Sequence, residues 1–133
     1  KTDINVPLEY LTNVIKKKCI AFVMSDFISP PFERVLKLAA KRHDVIGMHI
    51  HDPAEAMLPH AGILRMRDPE SGRMMMVDSG DLSVTAAFSN TYHANLNQFR
   101  EQFKRAKCDT MSLSTDQSYI QELHRFFKQR ASA

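Results

Sequence analysis

The sequence predicts an α/β fold of three layers, with a mostly parallel central sheet between flanking helices and a β-hairpin insertion. Three observations carry that expectation. The first is the apolar run Cys19-Ile20-Ala21-Phe22-Val23-Met24, which stops abruptly at Ser25-Asp26. It is too short to span a membrane, and its polar boundaries mark a strand buried on both faces. The second is another apolar segment, Asp44 to Ile50, ended by His51-Asp52-Pro53 because proline cannot continue a ladder. The third is the helical spacing before and between them. Helix, strand, helix, strand at these lengths is the repeated crossover unit of a parallel sheet.

The elements follow in order. Asp3 or Asn5 is placed to cap a first helix with Pro7 in its first turn and Leu8, Leu11 and Ile15 on one face. Lys16-Lys17-Lys18 close it, suiting the negative end of the helix dipole. After the first strand, the loop Asp26-Phe27-Ile28-Ser29-Pro30-Pro31 leads into a helix carrying Phe32, Val35, Leu36 and Ala39 and ending at Lys41-Arg42-His43. Glu55-Ala56-Met57-Leu58-Pro59 reads as a connector. Ile63 to Arg67 and Arg73 to Val77 flank Asp68-Pro69-Glu70-Ser71-Gly72, whose proline and glycine suit a hairpin turn. Asp81 or Ser83 starts a long helix with Val84, Phe88, Tyr92, Leu96, Phe99 and Phe103 on one face. Thr110 to Leu113 is a short last strand, and Ser114-Thr115-Asp116 caps a final helix carrying Tyr119, Ile120, Leu123 and Phe127. With no repeat or linker, residues 1–133 read as a single domain. Its opening, Lys1-Thr2-Asp3-Ile4, has no lead-in strand, as if cut from inside a longer domain.

Composition narrows the function classes. A chain of 133 residues, 44% hydrophobic and 25% charged, has enough apolar material for one core. No segment approaches the ~20 apolar residues of a membrane span, and no signal peptide is visible. Cys19 and Cys108 supply neither a disulfide framework nor zinc spacing, and neither sits at an evident helix N-terminus beside a histidine. A reducing, cytoplasmic compartment is the default. The net charge of +3 is spread over several helix-like stretches, without the basic stripe and interleaved aromatics of a nucleic-acid binder. Eight methionines, Met74-Met75-Met76 among them, suit core or edge filling.

Phosphate-cradling glycine patterns and a Gly-x-Ser-x-Gly elbow are absent from the sequence. The densest polar cluster is His49, His51, Asp52, Glu55 and His60. His49 and His51 alternate along a strand and so share a face, as two metal ligands would, yet no third ligand has motif-grade spacing. The preferred reading is a pair of imidazoles under a covering helix. In open parallel sheets ligands gather at the carboxyl ends of strands, which singles out Asp26, and Asp52 ends the next strand. On neighbouring strands the two carboxylates would border one edge and could share acid/base work. Turn-forming roles explain both as well. Asp81-Leu82-Ser83-Val84-Thr85 matches Asp-x-Ser-x-Ser/Thr, a pattern that can ring a hard cation, but a capping role is preferred because it opens a helix.

Several stretches together resemble one family. They are Thr2-Asp3-Ile4 before a helix, Phe22-Val23-Met24-Ser25-Asp26-Phe27, Arg42-His43-Asp44-Val45-Ile46, Asp52-Pro53-Ala54-Glu55 with Leu58-Pro59, Asp68-Pro69-Glu70-Ser71-Gly72, and Phe126-Phe127-Lys128-Gln129-Arg130. In this order they resemble the C-terminal half of the bacterial proteins called domain of unknown function 58. The resemblance implies a von Willebrand factor A-like fold, incomplete here, and a role as partner of a MoxR-type AAA ATPase in the assembly or maturation of client proteins. It also implies a magnesium ion at a metal-ion-dependent adhesion site. Thr2 matches that site's threonine loop and Asp26 its strand-end aspartate, while Ser25 and Asp52 are possible sheet-edge contacts. The Asp-x-Ser-x-Ser loop of that site would lie upstream of Lys1, and Asp81-Leu82-Ser83 stands in the wrong place to replace it. One hydroxyl and one carboxylate are too few for magnesium, so no tightly bound metal is expected.

The expected function is therefore a non-enzymatic interaction module. The alternative is a metal-dependent hydrolase-like enzyme using Asp26, Asp52 and the nearby histidines. A third expectation is self-association through an exposed sheet edge.

Overall fold

A computed structural model describes residues 2–68 and 71–132. In chain order it contains α1 (Asn5–Val14), β1 (Ile20–Ser25), α2 (Glu33–Ala40), β2 (Asp44–His51), β3 (Ile63–Arg67), β4 (Met74–Asp78), α3 (Leu82–Arg105), β5 (Asp109–Ser114) and α4 (Tyr119–Ala131), with a 3-10 turn at Pro53–Ala56. The predicted element order and the α/β class hold.

β1, β2 and β5 form a parallel sheet in the order β1-β2-β5. Alternation along the strands divides their side chains between two helical layers. On one face Val45 of β2 packs with Leu8 of α1, Leu36 and Ala39 of α2, and Phe99 and Phe103 of α3. On the other, Ile46 and Met48 of β2 and Met111 and Leu113 of β5 pack against Leu123 and Phe126 of α4. The result is three layers, with the sheet between three helices on one side and α4 on the other.

The first layer is aromatic. Phe27 stacks on Phe99 with ring centroids 4.1 Å apart and meets Phe103 edge-on at 5.5 Å, and Phe32 meets Phe103 at 5.9 Å. Each such pair is worth about 0.5–1.5 kcal/mol beyond its buried area. Phe27 sits at φ 57, a left-handed backbone rarely adopted by a bulky residue, and its stacked ring holds it there. Gln102 is buried in the same layer and accepts a hydrogen bond from the Phe32 amide at 2.8 Å, anchoring the start of α2 to α3.

Two strands depart from expectation. β1 is not buried on both faces: it lies at the edge of the sheet, and its residues alternate between exposed and half-buried. The strand enclosed by neighbours and by both helical layers is β2, five of whose residues are buried in succession. Of the two places expected for them, Met74, Met75 and Met76 of β4 take the edge and not the core: they are exposed, because among the described residues β3 and β4 pair only with each other as an antiparallel hairpin. Asp68 and Gly72 close the hairpin end with a 2.8 Å backbone bond, while Pro69 and Glu70 of the expected turn lie outside the described residues.

Helix ends also differ. Neither Asp3 nor Asn5 is the N-cap of α1, which is Ile4; Asp3 instead accepts from the Asn5 amide at 3.0 Å. Lys16–Lys18 fall beyond the last turn, although Lys16 Nζ still reaches the Asn13 carbonyl at 2.6 Å. Ser114-Thr115-Asp116 forms a turn held by Ser114 Oγ donating to Asp116, and α4 starts later, after Ser118.

At the amino end of the sheet, Arg130 of α4 donates to both oxygens of Asp44 at 2.8 Å and lies 2.9 Å from Asp109. One guanidinium fork thus ties the last helix to the first residues of β2 and β5.

Candidate functional site at the carboxyl end of the sheet

Parallel pairing places Ser25 beside His49 and His49 beside Ser112, so these three side chains share the α3 face at the carboxyl end of the sheet. His51 and Ser114 form the next row. The expected covering helix is α3: the His49 ring stacks on Phe99 with centroids 5.6 Å apart and on His51 at 5.1 Å. His51 Nδ1 lies 3.1 Å from the Leu113 carbonyl. His49 is 5% exposed, and its Nδ1 has no hydrogen-bond partner among the described residues. Burial pushes its imidazole down to about 4, reinforced by His51 and Arg100 and opposed by Asp26. At neutral pH His49 is therefore an uncharged ring.

Asp26 follows β1 in an exposed loop. Its Oδ1 accepts from Ser25 Oγ and from the Ile28 amide, both at 3.2 Å, while Ser25 Oγ accepts from the Phe27 amide at 3.0 Å. The segment bearing Thr2 runs beside this loop. The Ile4 amide donates to Ser29 Oγ at 3.1 Å, and Asn5 Nδ2 donates to the Pro31 carbonyl at 3.3 Å. Thr2 itself is exposed.

Asp26 and Asp52 do not form a pair. Ser25 is in register with His49, so β2 runs two residues past the end of β1, and Asp52 lies beyond the level of Asp26. Asp52 is engaged locally, its Oδ1 accepting from the Ala54 amide at 2.9 Å to cap the 3-10 turn. Glu55 and His60 are exposed. Among the described residues no three histidine, cysteine, aspartate or glutamate side chains form a group able to hold a metal ion. The hydrolase-like convergence of Asp26, Asp52 and the histidines is not assembled in this arrangement.

Asp81 performs the capping role. Its Oδ1 accepts from the Ser83 amide at 2.8 Å and from Ser83 Oγ at 2.7 Å, and these bonds hold its carboxyl below the usual carboxylate range. Thr85 Oγ1 turns back to the Leu82 carbonyl at 3.1 Å, so all three polar residues serve the start of α3.

One pairing went unseen in the sequence. Cys19 Sγ lies 3.4 Å from His43 Nδ1, because each residue immediately precedes its strand and β1 and β2 pair in parallel. The signal was available: once the strands were taken as neighbours, matching their first residues would have put the cysteine beside the histidine.

The chain has mycobacterial relatives. It is 26% identical over 129 residues to uncharacterized proteins of Mycobacterium bovis and Mycobacterium tuberculosis, matching 96% of this chain and 40% of each relative. An uncharacterized protein of Mycobacterium avium is 25% identical over 131 residues, 96% of this chain and 76% of that protein. The chain thus spans about 40% of the length of the M. bovis and M. tuberculosis relatives. A family model described as protein of unknown function DUF58 matches residues 1–102. No solved structure matches.

Proposed function

The chain belongs to the DUF58 family of proteins of unknown function, and on that premise we propose that it is a non-enzymatic protein-interaction module. Its partner in this reading is a MoxR-type AAA ATPase acting in protein assembly or maturation.

The supporting observation is a continuous apolar surface along β1 and α4. Ile20, Phe22 and Met24 project from the α4 side of the edge strand and are 59%, 42% and 65% exposed. Phe127 stands edge-on to Phe22 at 6.1 Å, and Ile120, Leu123 and Phe127 line a groove on α4 beside it. Contiguous exposed apolar area of this kind marks interaction surfaces, and a sheet edge adds backbone donors and acceptors to it.

Thr2 and Asp26 offer hard oxygens of the kind magnesium prefers, but fewer than its octahedral shell requires. In a longer protein they would hold the ion jointly with ligands from elsewhere in the chain. The metal would then present an open coordination site to an acidic partner residue.

Calorimetry between this chain and the purified MoxR-type ATPase of the same organism tests the reading. Micromolar binding is expected, weakened at least about tenfold in Met24→Asp/Ile120→Asp with no loss of melting temperature. Equal affinity of the double variant would overturn it. Self-association through the β1 edge is the competing use of the same surface, and gel filtration of the isolated chain at two concentrations reads it separately.

A further inference from the structure

At the opposite, amino end of the sheet a cavity of about 580 Å³ opens where the three parallel strands begin. Cys19 and His43 line it, with Lys18, Lys41, Arg42 and Lys107 around them. The two acids on its wall, Asp44 and Asp109, are both engaged by Arg130, so the uncompensated charge facing the cavity is positive. His43 is 3% exposed; its Nδ1 meets the Cys19 thiol, and its Nε2 has no partner among the described residues. A buried ring nitrogen left unpaired is costly, and a group of this kind calls for a redox or catalytic explanation.

We propose that Cys19 is a thiol-modification site at which small disulfides carrying carboxylates form a mixed disulfide with the chain. The cations gather the anionic reagent, and His43 takes the thiol proton on Nδ1 as Sγ attacks. Sγ bonds to one sulfur of the reagent, and the reagent's own S–S bond breaks. The leaving sulfur keeps the electron pair and departs as a thiol after protonation. Cys19 is oxidised, and one half of the small disulfide is reduced.

Cys108 lines the same cavity and serves as an internal control. Its thiol is pushed up to about 11 by burial, with Asp109 and Asp44 adding repulsion, and its Sγ faces the Ala106 carbonyl at 3.6 Å. By register Cys19 lies beside His43 and Cys108 beside Val45, on opposite sides of β2. Two strand spacings amount to ~9.6 Å, beyond the ~7 Å between Cα atoms that a disulfide can bridge. Oxidation of Cys19 therefore ends in an external adduct rather than an internal bond.

The test incubates the purified chain with glutathione disulfide or with neutral hydroxyethyl disulfide and locates adducts by peptide mass spectrometry. Cys19 is expected to react at least about tenfold faster than Cys108, and to favour the anionic reagent at low salt. Lys18→Glu/Lys107→Glu, both exposed positions, should remove that preference without unfolding the chain. His43→Gln, which cannot take the proton, should slow the reaction about tenfold. If the glutamine variant fails to fold, the lysine variant still decides. Equal rates at Cys19 and Cys108, or equal rates with both reagents in the unaltered chain, would overturn the proposal.

Discussion

Phe103 occupies the space that a side chain on Gly47 would need: a Cβ at Gly47 would stand 2.6 Å from Phe103 Cε1 and 2.9 Å from Phe99 Cε2. The central strand therefore carries a glycine so that α3 can lie close against it. Gly47→Ala is expected to cost about 1–3 kcal/mol through overpacking, since the ring is held among Phe27, Phe32 and Phe99 and cannot swing aside. Urea denaturation reads the loss. A variant as stable as the parent would show that α3 can shift.

His49 sets a pH dependence of known sign. Its folded value, about 4, lies below its ordinary 6.5, so the unfolded chain takes up the proton first as pH falls. The contribution is complete above pH 6.5, declines as pH drops toward 4, and is level below that. At about 1.4 kcal/mol per unit, the shift from 6.5 to about 4 amounts to at most about 3.5 kcal/mol. Stability curves for the parent and His49→Gln should differ in slope between those limits, and identical slopes would refute the assignment.

The Arg130 fork should behave as a half-exposed ion pair rather than a buried one. Its side chain and that of Asp44 retain 29% and 35% of their exposure, so solvent screening reduces its worth. Arg130→Lys is expected to lose about 1 kcal/mol, because a single ammonium cannot hold both Asp44 oxygens, as Nη2 does, and also reach Asp109, as Nε does. The same melts at 1 M salt should narrow the difference between parent and variant.

Magnesium separates the two aspartate-hydroxyl clusters. Titration of this chain by calorimetry should show no micromolar binding, and Asp26→Ala should leave the trace unchanged. Asp81→Ala should lower the melting temperature through the lost helix cap, with Asp81→Asn restoring it, at any magnesium concentration. Micromolar heat abolished by Asp26→Ala would mean that Thr2 and Asp26 already suffice as protein ligands.

Much of the fold was legible because period and punctuation agreed. Val84, Phe88, Leu96, Phe99 and Phe103 announced α3, Asp52-Pro53 ended β2, and Asp81 with Ser83 marked a cap that the structure forms. The error over β1 came from the same kind of signal. Ile20, Phe22 and Met24 are apolar yet exposed, and an unbroken apolar run reads alike whether a sheet continues past the strand or stops there. The site was less legible. That His49 and His51 share a face followed from alternation, but the missing partner of His49 Nδ1 depends on how α3 lies across β2. The pairing of Cys19 with His43 required knowing that β1 and β2 are neighbours.

The Arg130 fork also bears on the order in which the chain assembles. It joins residues 86 positions apart, whereas β3 and β4 meet across a short turn and α1 and α2 lie close in sequence. Loop-closure entropy weighs against so distant a contact forming early, and the fork is expected to form after the barrier to folding is crossed. Loosening it would leave the folding rate nearly unchanged and quicken unfolding. The last helix then acts as a latch, setting how long the sheet stays closed rather than how fast it forms.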